Sequence, residues 1–497
     1  MPGYAPAGPE AFTSSREGFE EIAGWLAGGE AAGLEHGELE DEIEVRGREV
    51  LRRMLQDHLA LRASREERRR GVVADGVPRT RAEKGHERPL TSVFGQVRVS
   101  RLAYRAPGTR NAYLLDAELN LPEEKQSHGL RKRAAAEAVR GSYDDAVAAI
   151  GRQTGVRLGR RQVQELVLRA AADVDAFYAA RRPAPAGKKK ALALTADAKG
   201  IVMRPGSLRP ATAKAAAGAE RKLATRLSPG EKRNRKRMAE IAGVYDFIPA
   251  PRTAADIITP PGQQRKQDRE PGPEAEGKWL TASVTDDIPV VIAAAFDEAG
   301  RRDPGHERTW VALVDGNNTQ IEAIEAQASE RGIEVTIVID FIHVVEYVWK
   351  AAWSFFPPGD PDAEDWVAGR LLKILDGQAA QVAAGIRRRA TTYGYLGSER
   401  AGADTCADYL TAKAPYLDYA TALASGWPIA TGIIEGACRH IIKDRFDITG
   451  ARWALDGAEA LLKLRALTAN GDFEDYWKDH LRRERERIHQ SRYGLAA

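Results

Sequence analysis

The order of apolar and amphipathic segments between residues 191 and 344 constrains the fold of this chain more than any other feature. Five short apolar runs are typical of buried strands, and two amphipathic runs between them are typical of helices. In chain order they predict three strands, a helix, a strand, a helix and a strand: ALALTADAKGIVM, MAEIAGVYDFI, KWLTASVT, DDIPVVIAAAFDEAGRRDP, WVALVDGNN, TQIEAIEAQASERG and EVTIVIDFIHV. The last strand is expected to run to Asp340 and His343. The mixture predicts an α+β core.

Composition narrows the class of protein. The chain has 497 residues, 43% of them hydrophobic, which predicts two to four domains and excludes a wholly disordered chain. Only two cysteines are present, Cys406 and Cys438, so a disulfide scaffold, a cysteine-rich zinc module and an iron–sulfur cluster are excluded and the cytoplasm is expected. We expect neither a secretory signal nor a membrane span. The net charge of +3 does not by itself argue for nucleic acid.

The first 135 residues predict helices and one hairpin. Residues 14–70 have a helical pattern, whose apolar positions predict a packing or dimerisation helix: Ile43, Val50, Leu51, Met54, Leu55 and Leu59. Residues 90–105 alternate apolar and polar side chains on either side of Gly95, which predicts a small hairpin.

A pair of helices is predicted between residues 136 and 185. Ser142 is placed to cap the first helix, and the second helix opens with Arg160, Arg161 and Gln162. The pair resembles a DNA-binding helix-turn-helix, although the connection is longer than usual, and a plain helical hairpin fits the pattern equally well. The Pro-rich, basic stretch at 181–190 marks a domain boundary.

Residues 203–238 carry eleven Lys and Arg against two acids, which predicts a flexible basic insertion. Four of these basic residues suit a phosphate-contacting arm, namely Arg233, Arg235, Lys236 and Arg237, and a solvated loop is the alternative. Further along, residues 346–425 have an almost wholly helical pattern. The charged C-terminal segment predicts a mobile helix.

Three acids stand where chemistry is plausible. Asp197 interrupts an apolar strand, Asp315 ends another, and Glu435 lies near the start of a helix, each more than a hundred residues from the next. Carboxylates of this kind suit a Mg²⁺ site, because hard cations prefer oxygen ligands. The alternatives are a salt-bridge partner at Asp197, a turn-forming residue at Asp315 and a solvated acid at Glu435.

Basic residues follow Glu435 on the same predicted helix. Glu435, Arg439 and Lys443 recur every four residues on one polar stripe, which is either a salt-bridge ladder or part of a DNA-contacting surface. The candidate phosphate contacts here are Arg439, His440, Lys443 and Arg445.

Four segments carry a resemblance to a known family: TADAKG (195–200), LVDGNN (313–318), DFIHVVEYVWKAAW (340–353) and PIATGIIEGACRHIIKDRFDITGARW (428–453). The sequence resembles the ISKra4 family of bacterial insertion-sequence transposases and, more distantly, the Mutator-like and IS256-type enzymes. The resemblance implies an α+β multidomain protein with a ribonuclease H-like mixed-sheet catalytic core, an all-α insertion and a mainly helical N-terminal DNA-binding region. The expected divisions are 1–135, 136–185, 186–345 for the first part of the core, 346–427 for the insertion, 428–470 for the final core helices and 471–497 for the tail.

The resemblance also implies a function. Asp197, Asp315 and Glu435 would be the catalytic metal ligands of a DDE transposase that uses two Mg²⁺ ions, or Mn²⁺ in their place, without an organic cofactor. Asp340 matches an auxiliary motif and is a rival for the second ligand, and His343 would support the site. Expected partners are double-stranded DNA, both the terminal inverted repeats and the target, and at least a second copy of the chain. The expected location is the cytoplasm, in association with the nucleoid. The alternatives are a ribonuclease H-like nuclease without strand transfer and a catalytically silent DNA-binding protein derived from a transposase.

Overall fold

The computed structural model describes residues 8–183, 187, 189–218, 223, 228, 231, 234–263, 268–448 and 450–493. The chain forms two compact units, one from Met1–Ala180 with Gly471–Ala497 and one from Arg181–Asn470, called unit 1 and unit 2 below. Together they make an α+β protein. No helix in the described ranges is both long enough and apolar enough to cross a membrane.

Unit 1 is mainly helical and contains two small antiparallel ribbons. Its N-terminal part comprises α1 (Thr13–Leu26), α2 (Gly29–Ala32), α3 (His36–Ser64), β1 (Val73–Ala74), β2 (Val77–Pro78), β3 (Arg81–Ser92), β4 (Gly95–Arg105), α4 (Leu114–Glu118), α5 (His128–Arg140), α6 (Tyr143–Thr154), α7 (Arg160–Ala170) and α8 (Val174–Ala180). Strands β3 and β4 pair antiparallel and confirm the predicted hairpin. Gly95 has a φ of 123° in its turn, a conformation that favours glycine.

Two predicted helices of unit 1 end earlier than expected. Helix α3 ends at Ser64, and the three successive arginines at 68–70 lie beyond it, where closely spaced like charges do not favour another helical turn. The helix that opens at Arg160 ends at Ala170, and α8 follows as a separate helix. The predicted cap is confirmed, because the Ser142 hydroxyl accepts a hydrogen bond from the Asp145 amide at 3.1 Å.

Unit 2 is built on one five-stranded mixed sheet. Its elements are β5 (Ala191–Val202), α9 (Pro210–Ala217), β6 (Lys236–Phe247), α10 (Ala254–Ile257), β7 (Ala275–Ser283), α11 (Ile288–Arg302), β8 (Trp310–Val314), α12 (Asn318–Arg331), β9 (Val335–Ile339), α13 (Phe341–Ala352), α14 (Pro361–Leu375), α15 (Ala379–Thr392), α16 (Ala401–Ala412), α17 (Tyr419–Ala424), α18 (Gly432–Ala437), α19 (Asp444–Phe446) and α20 (Leu455–Ala469). The strand order is β7-β6-β5-β8-β9. Strands β5, β6 and β7 pair antiparallel, and β8 and β9 run parallel to β5. The predicted order of strands and helices is therefore confirmed.

The helices between β9 and α18 share a core with the sheet. Buried Val311 of β8 and Val338 of β9 belong to one apolar cluster with Val348, Ile374 and Leu410 from these helices. The helical pattern predicted for 346–425 is confirmed. These helices belong to the same compact unit as the sheet and form no separate unit.

The C-terminal segment, predicted as a mobile helix, is instead a packed part of unit 1. It forms α21 (Phe473–Arg485), a π-helical turn (Glu486–Gln490) and α22 (Ser491–Tyr493). Tyr476 is fully buried and its hydroxyl donates a hydrogen bond to the Ala170 carbonyl at 2.5 Å. The prediction of a mobile tail is wrong, because one face of α21 carries aromatic side chains that unit 1 buries.

Candidate functional site

Three acids lie at one level of the unit 2 sheet, at the edge where β8 and β9 end. The last registered pair between the parallel strands β5 and β8 is Thr195 with Leu313, and Asp197 and Asp315 each lie two residues beyond that pair. The last pair between β8 and β9 is Val314 with Ile339, so Asp315 and Asp340 follow it together. Because residues in register on neighbouring parallel strands lie side by side, this pairing brings Asp197, Asp315 and Asp340 to the same level, although β5 itself continues to Val202.

Asp197 is half-buried and has no ionic partner among the described residues. Its Oδ1 accepts a hydrogen bond from the Ala198 amide at 2.6 Å, and its Oδ2 accepts one from the Cys438 Sγ at 3.1 Å. The thiol donates in this contact, and burial followed by the charge of Asp197 raises the pKa of Cys438. Cys438 therefore fixes the carboxylate as a neutral thiol, and it ties β5 to the segment that carries Glu435.

Asp315 forms a turn with one of its two carboxylate oxygens. Its Oδ1 accepts a hydrogen bond from the Asn317 amide at 2.9 Å, as the turn-forming interpretation predicted. Tyr409 of α16 donates its hydroxyl to the Asp315 carbonyl at 3.2 Å. Gly316 has a φ of 92°, and a Cβ there would lie 2.9 Å from the Tyr409 hydroxyl oxygen. Within the described part of the chain, Asp315 Oδ2 has no hydrogen bond and stays available for a ligand.

Asp340 is fully buried and uses both carboxylate oxygens inside the protein. Its Oδ1 accepts from the Ile342 amide at 2.8 Å, and its Oδ2 accepts from the amide and the hydroxyl of Thr431. Asp340 therefore caps α13, and it also holds Thr431, the residue immediately before α18. Strand β9 ends at Ile339, so the predicted extension of that strand to His343 is wrong, and His343 lies in α13.

Glu435 projects from α18 toward the same edge and is exposed. Partial burial and the charges of Asp340 and Asp197 raise the pKa of Glu435, while His343 acts in the opposite direction. The carboxylates are thus close enough to repel one another. His343 is half-buried, and its Nδ1 lies 3.4 Å from the Glu346 Oε2.

A π-helical turn, Cys438–Lys443, follows α18. Wider turns of this kind leave backbone carbonyls free and occur frequently at functional sites. Arg465 of α20 satisfies two of these carbonyls, donating to Ile441 at 2.6 Å and to His440. The regular four-residue stripe predicted through Lys443 is therefore wrong in its second half, because the backbone no longer has α-helical periodicity there.

The basic candidates after Glu435 divide by exposure. Arg439, His440 and Lys443 are exposed and can meet a phosphate. Arg445 is only 2% exposed, and its guanidinium lies 4.8 Å from the centre of the Trp453 ring. Its burial removes Arg445 from the set of phosphate contacts and gives it a structural role.

The basic insertion is partly a strand. Arg233 lies outside the described residues. Lys236 and Arg237 are the first two residues of β6 and pair with Val202 and Ile201 of β5. The Arg237 guanidinium donates to the carbonyls of Val284 and Thr285. The prediction of a flexible arm is wrong for Lys236 and Arg237, because cross-strand pairing holds their backbone, whereas Arg235 lies just before the strand and is half-buried.

In unit 1, the candidate DNA-binding residues lie at the start of α7. Arg160 pairs with Asp144 at 2.8 Å and Arg161 with Glu165 at 3.1 Å, and both arginines are well exposed. The Gln162 Oε1 accepts a hydrogen bond from the Gly159 amide at 2.8 Å, so Gln162 caps its own helix. All three residues are exposed, so the two arginines and the Gln162 amide nitrogen keep side-chain donors toward solvent.

Glu240 of β6 was not predicted and belongs near this site. It lies opposite Ala198 on the neighbouring strand and is 8% exposed. Burial raises its pKa to about 7, and the charge of Asp197 adds to the effect. The sequence did mark Glu240 as a candidate, because Glu240 is an acid inside the apolar run MAEIAGVYDFI, just as Asp197 is an acid inside the apolar run that forms β5. Tyr409, Thr431 and Arg465 were also missed, and no sequence pattern marks them.

The chemistry of this edge fits a hard cation. The donors are carboxylate oxygens, and the mutual repulsion that raises the pKa of Glu435 is of the kind that a bound cation relieves. Within the described ranges, no three His, Cys, Asp or Glu side chains converge as a ready-made metal-holding group. A cation here would therefore draw the carboxylates closer together.

Comparison of the sequence with models of protein families and with curated proteins finds no match.

Proposed function

We propose that this chain is a DDE transposase with a ribonuclease H-like core, which cleaves DNA at the ends of its own mobile element and joins the freed 3′ ends to target DNA. The observation that carries the proposal is the strand register that brings Asp197 and Asp315 to one level of the sheet, with the Glu435 helix tied to the same edge. The sheet order, with three antiparallel strands followed by two parallel ones, supports the proposed core.

Asp197, Asp315 and Glu435 are the residues that would hold Mg²⁺ or Mn²⁺. When bound, such ions neutralise charge that develops on the phosphate and activate the attacking oxygen. The carboxylate oxygens suit this role because Asp315 Oδ2 is free of hydrogen bonds in the described chain and Glu435 faces solvent.

The other residues of the site position these acids. Asp340 holds Thr431 and so sets where α18 begins, which in turn orients Glu435. The Cys438 thiol orients the Asp197 carboxylate. Tyr409 anchors the backbone of Asp315 from the helical insertion. Arg439, His440 and Lys443 lie beyond Glu435 along the chain and would contact the DNA backbone.

The test is cleavage and joining of a labelled duplex that carries the DNA flanking the gene, across a Mg²⁺ titration. We expect Asp197→Asn and Asp315→Asn each to lower the cleavage rate by at least about a hundredfold and to leave binding of the duplex intact. Metal-dependent nicks without joined products would identify a nuclease. Binding without any nicks would identify a silent DNA-binding protein.

Asp340→Asn separates the two candidates for the second ligand. Because both Asp340 oxygens accept hydrogen bonds inside the protein, we expect this variant to lose stability as well as activity. A stable Asp340→Asn protein without cleavage, beside an active Asp315→Asn protein, would transfer the ligand role to Asp340.

A further inference from the structure

An exposed apolar stripe runs along α3 on a side that faces neither α1 nor β4. At about 100° per residue, the stripe lies within about 80° of the helix circumference and comprises Ile43, Gly47, Leu51, Met54 and His58. The apolar side chains Ile43, Leu51 and Met54 are 39%, 43% and 46% exposed. Three large apolar side chains on one narrow stripe indicate a contact surface.

The other sides of α3 are already occupied. Asp57 accepts a hydrogen bond from the Ser15 amide of α1 at 2.9 Å. Gln56 donates to the Arg98 carbonyl of β4 at 3.0 Å, and Leu59 is buried against the hairpin. The stripe is therefore the side of α3 that contacts neither α1 nor the hairpin.

The charges of α3 favour one kind of neighbour. Its first ten residues, 36–45, hold five acids and no Lys or Arg, whereas residues 46–64 hold five arginines and two acids. A second α3 running antiparallel would place the acidic half beside the basic half, and a parallel one would place like charges together. The charge pattern therefore selects an antiparallel copy of the same helix.

We propose that this stripe is the surface through which two copies of the chain associate, with their α3 helices antiparallel about a two-fold axis near Leu51. In that arrangement Gly47 of one copy lies beside Met54 of the second copy, and Glu40 lies near Arg62, which also reaches Glu118 in its own copy at 3.4 Å. A two-fold contact uses the same patch on both subunits, as the stripe requires. The association involves unit 1 alone and is measured without DNA or metal, so it stands apart from the proposed function.

A cysteine placed on the axis tests the arrangement. Both native cysteines are buried, so Leu51→Cys supplies the accessible thiol. We expect oxidation to link Leu51→Cys into a covalent dimer on a non-reducing gel. Val45→Cys is the matched control, because Val45 is more exposed, at 64%, and lies on the opposite side of α3. Equal cross-linking of the two variants, or none at Leu51→Cys, would overturn the proposal.

The oligomeric state of the wild type and of charge variants tests the proposed dimer independently. By light scattering the wild-type chain should be a dimer, and Leu51→Glu should raise the dimer dissociation constant at least about a hundredfold, because it buries a carboxylate from each copy at the axis. That variant should still unfold in one cooperative thermal transition, because Leu51 is exposed in one copy, and its midpoint should fall only by what the lost association contributes. Glu40→Arg and Arg62→Glu should each weaken the dimer and should restore it when combined. A monomeric wild type, a dimeric Leu51→Glu protein or a failure of the combined variant would each overturn the proposal.

Discussion

The buried charges of unit 1 differ in their surroundings from the acids at the candidate site of unit 2. In unit 1, Arg131 is 1% exposed and donates to both oxygens of Glu484 at 2.8 Å. Asp173 is bound by His480 and Arg487, and although burial alone would raise the pKa of Asp173, these hydrogen bonds hold it below its ordinary value. Each buried charge has an opposite charge beside it, and each pair joins α21 or the turn after it to the N-terminal helices.

At the candidate site of unit 2, acids stand beside other acids, although elsewhere in unit 2 the buried Asp246 pairs with Arg302 at 2.9 Å. Partial burial and the charges of Asp340 and Asp197 raise the pKa of Glu435, and burial raises that of Glu240 to about 7. Within the described chain no Lys or Arg forms a salt bridge with Asp197 or Glu435. Unpaired like charges cost folding free energy, so their presence indicates a role outside folding. The difference teaches that paired charges hold elements of the fold together, whereas the acids at the candidate site have no cationic side chain of the described chain to neutralise them.

The largest expected effect is the loss of DNA cleavage when the unit 2 acids are replaced. If the proposed function holds, Glu435→Gln should lower DNA cleavage by about a thousandfold, because it removes the charge of a proposed metal ligand, and should leave the free energy of unfolding unchanged or higher. Adding Asp197→Asn should cost far less than the sum of the single effects, since both act at one site. The measurement is single-turnover nicking, with denaturant unfolding alongside.

Glu322→Gln is the control for Glu435→Gln, because it neutralises an exposed acid on α12. It should cleave DNA at the wild-type rate. A folded Glu435→Gln protein with wild-type activity would show that Glu435 is not one of the three proposed metal ligands. Its charge would then have no role that the paired charges of unit 1 lack.

The next effect is on stability in unit 1. Glu484→Gln should lower the free energy of unfolding by about 3 kcal/mol, because the buried Arg131 then keeps only Glu124, at 3.6 Å, as a counter-charge. Asp475→Asn on the same helix changes an exposed pair with Lys478 and should cost less than about 0.5 kcal/mol. Denaturant titration measures both. Equal costs for the two variants would show that the buried pair is not the stabilising element.

Glu240 gives a smaller effect with a defined pH dependence. Its pKa rises from an ordinary 4.5 to about 7 on folding, so its favourable contribution is complete below pH 4.5 and is lost as the pH rises through 7. Glu240→Gln should remove this slope and be more stable than the wild type at pH 8 by about 2 kcal/mol. Unfolding of both proteins at pH 5 and pH 8 measures the slope. A wild-type stability that rises across this range, with the rise lost in Glu240→Gln, would show that a cation pairs with Glu240.

The smallest effect distinguishes two arginines six residues apart. Arg439→Ala should reduce the log–log salt slope of DNA binding by about 0.9, the value for one phosphate contact, and should leave folding intact. Arg445→Ala should instead destabilise the fold, because Arg445 is buried beside Trp453. Binding titrations at several salt concentrations and thermal unfolding separate the outcomes. An unchanged salt slope of DNA binding for Arg439→Ala would show that Arg439 does not contact a phosphate.

The sequence by itself determined the elements of the sheet. The periodicity of apolar residues predicted the strands and helices from Ala191 to Ile339 and the helical stretch that follows, because burial of one face or of a whole strand leaves a local pattern. It also predicted Asp197 as a candidate, because an acid inside an apolar strand is costly without a purpose.

Only the tertiary structure decided how those acids meet and which basic residues stay exposed. The parallel register of β5 and β8 aligns Asp197 with Asp315, and the thiol of Cys438 then joins Asp197 to the Glu435 segment. Arg445 is buried although it resembles its exposed neighbours in sequence. These relations depend on contacts between residues far apart in the chain, and no local periodicity records such contacts. The sequence could therefore name the charged groups of this protein, and the fold assigned some to stability and kept others at the candidate site.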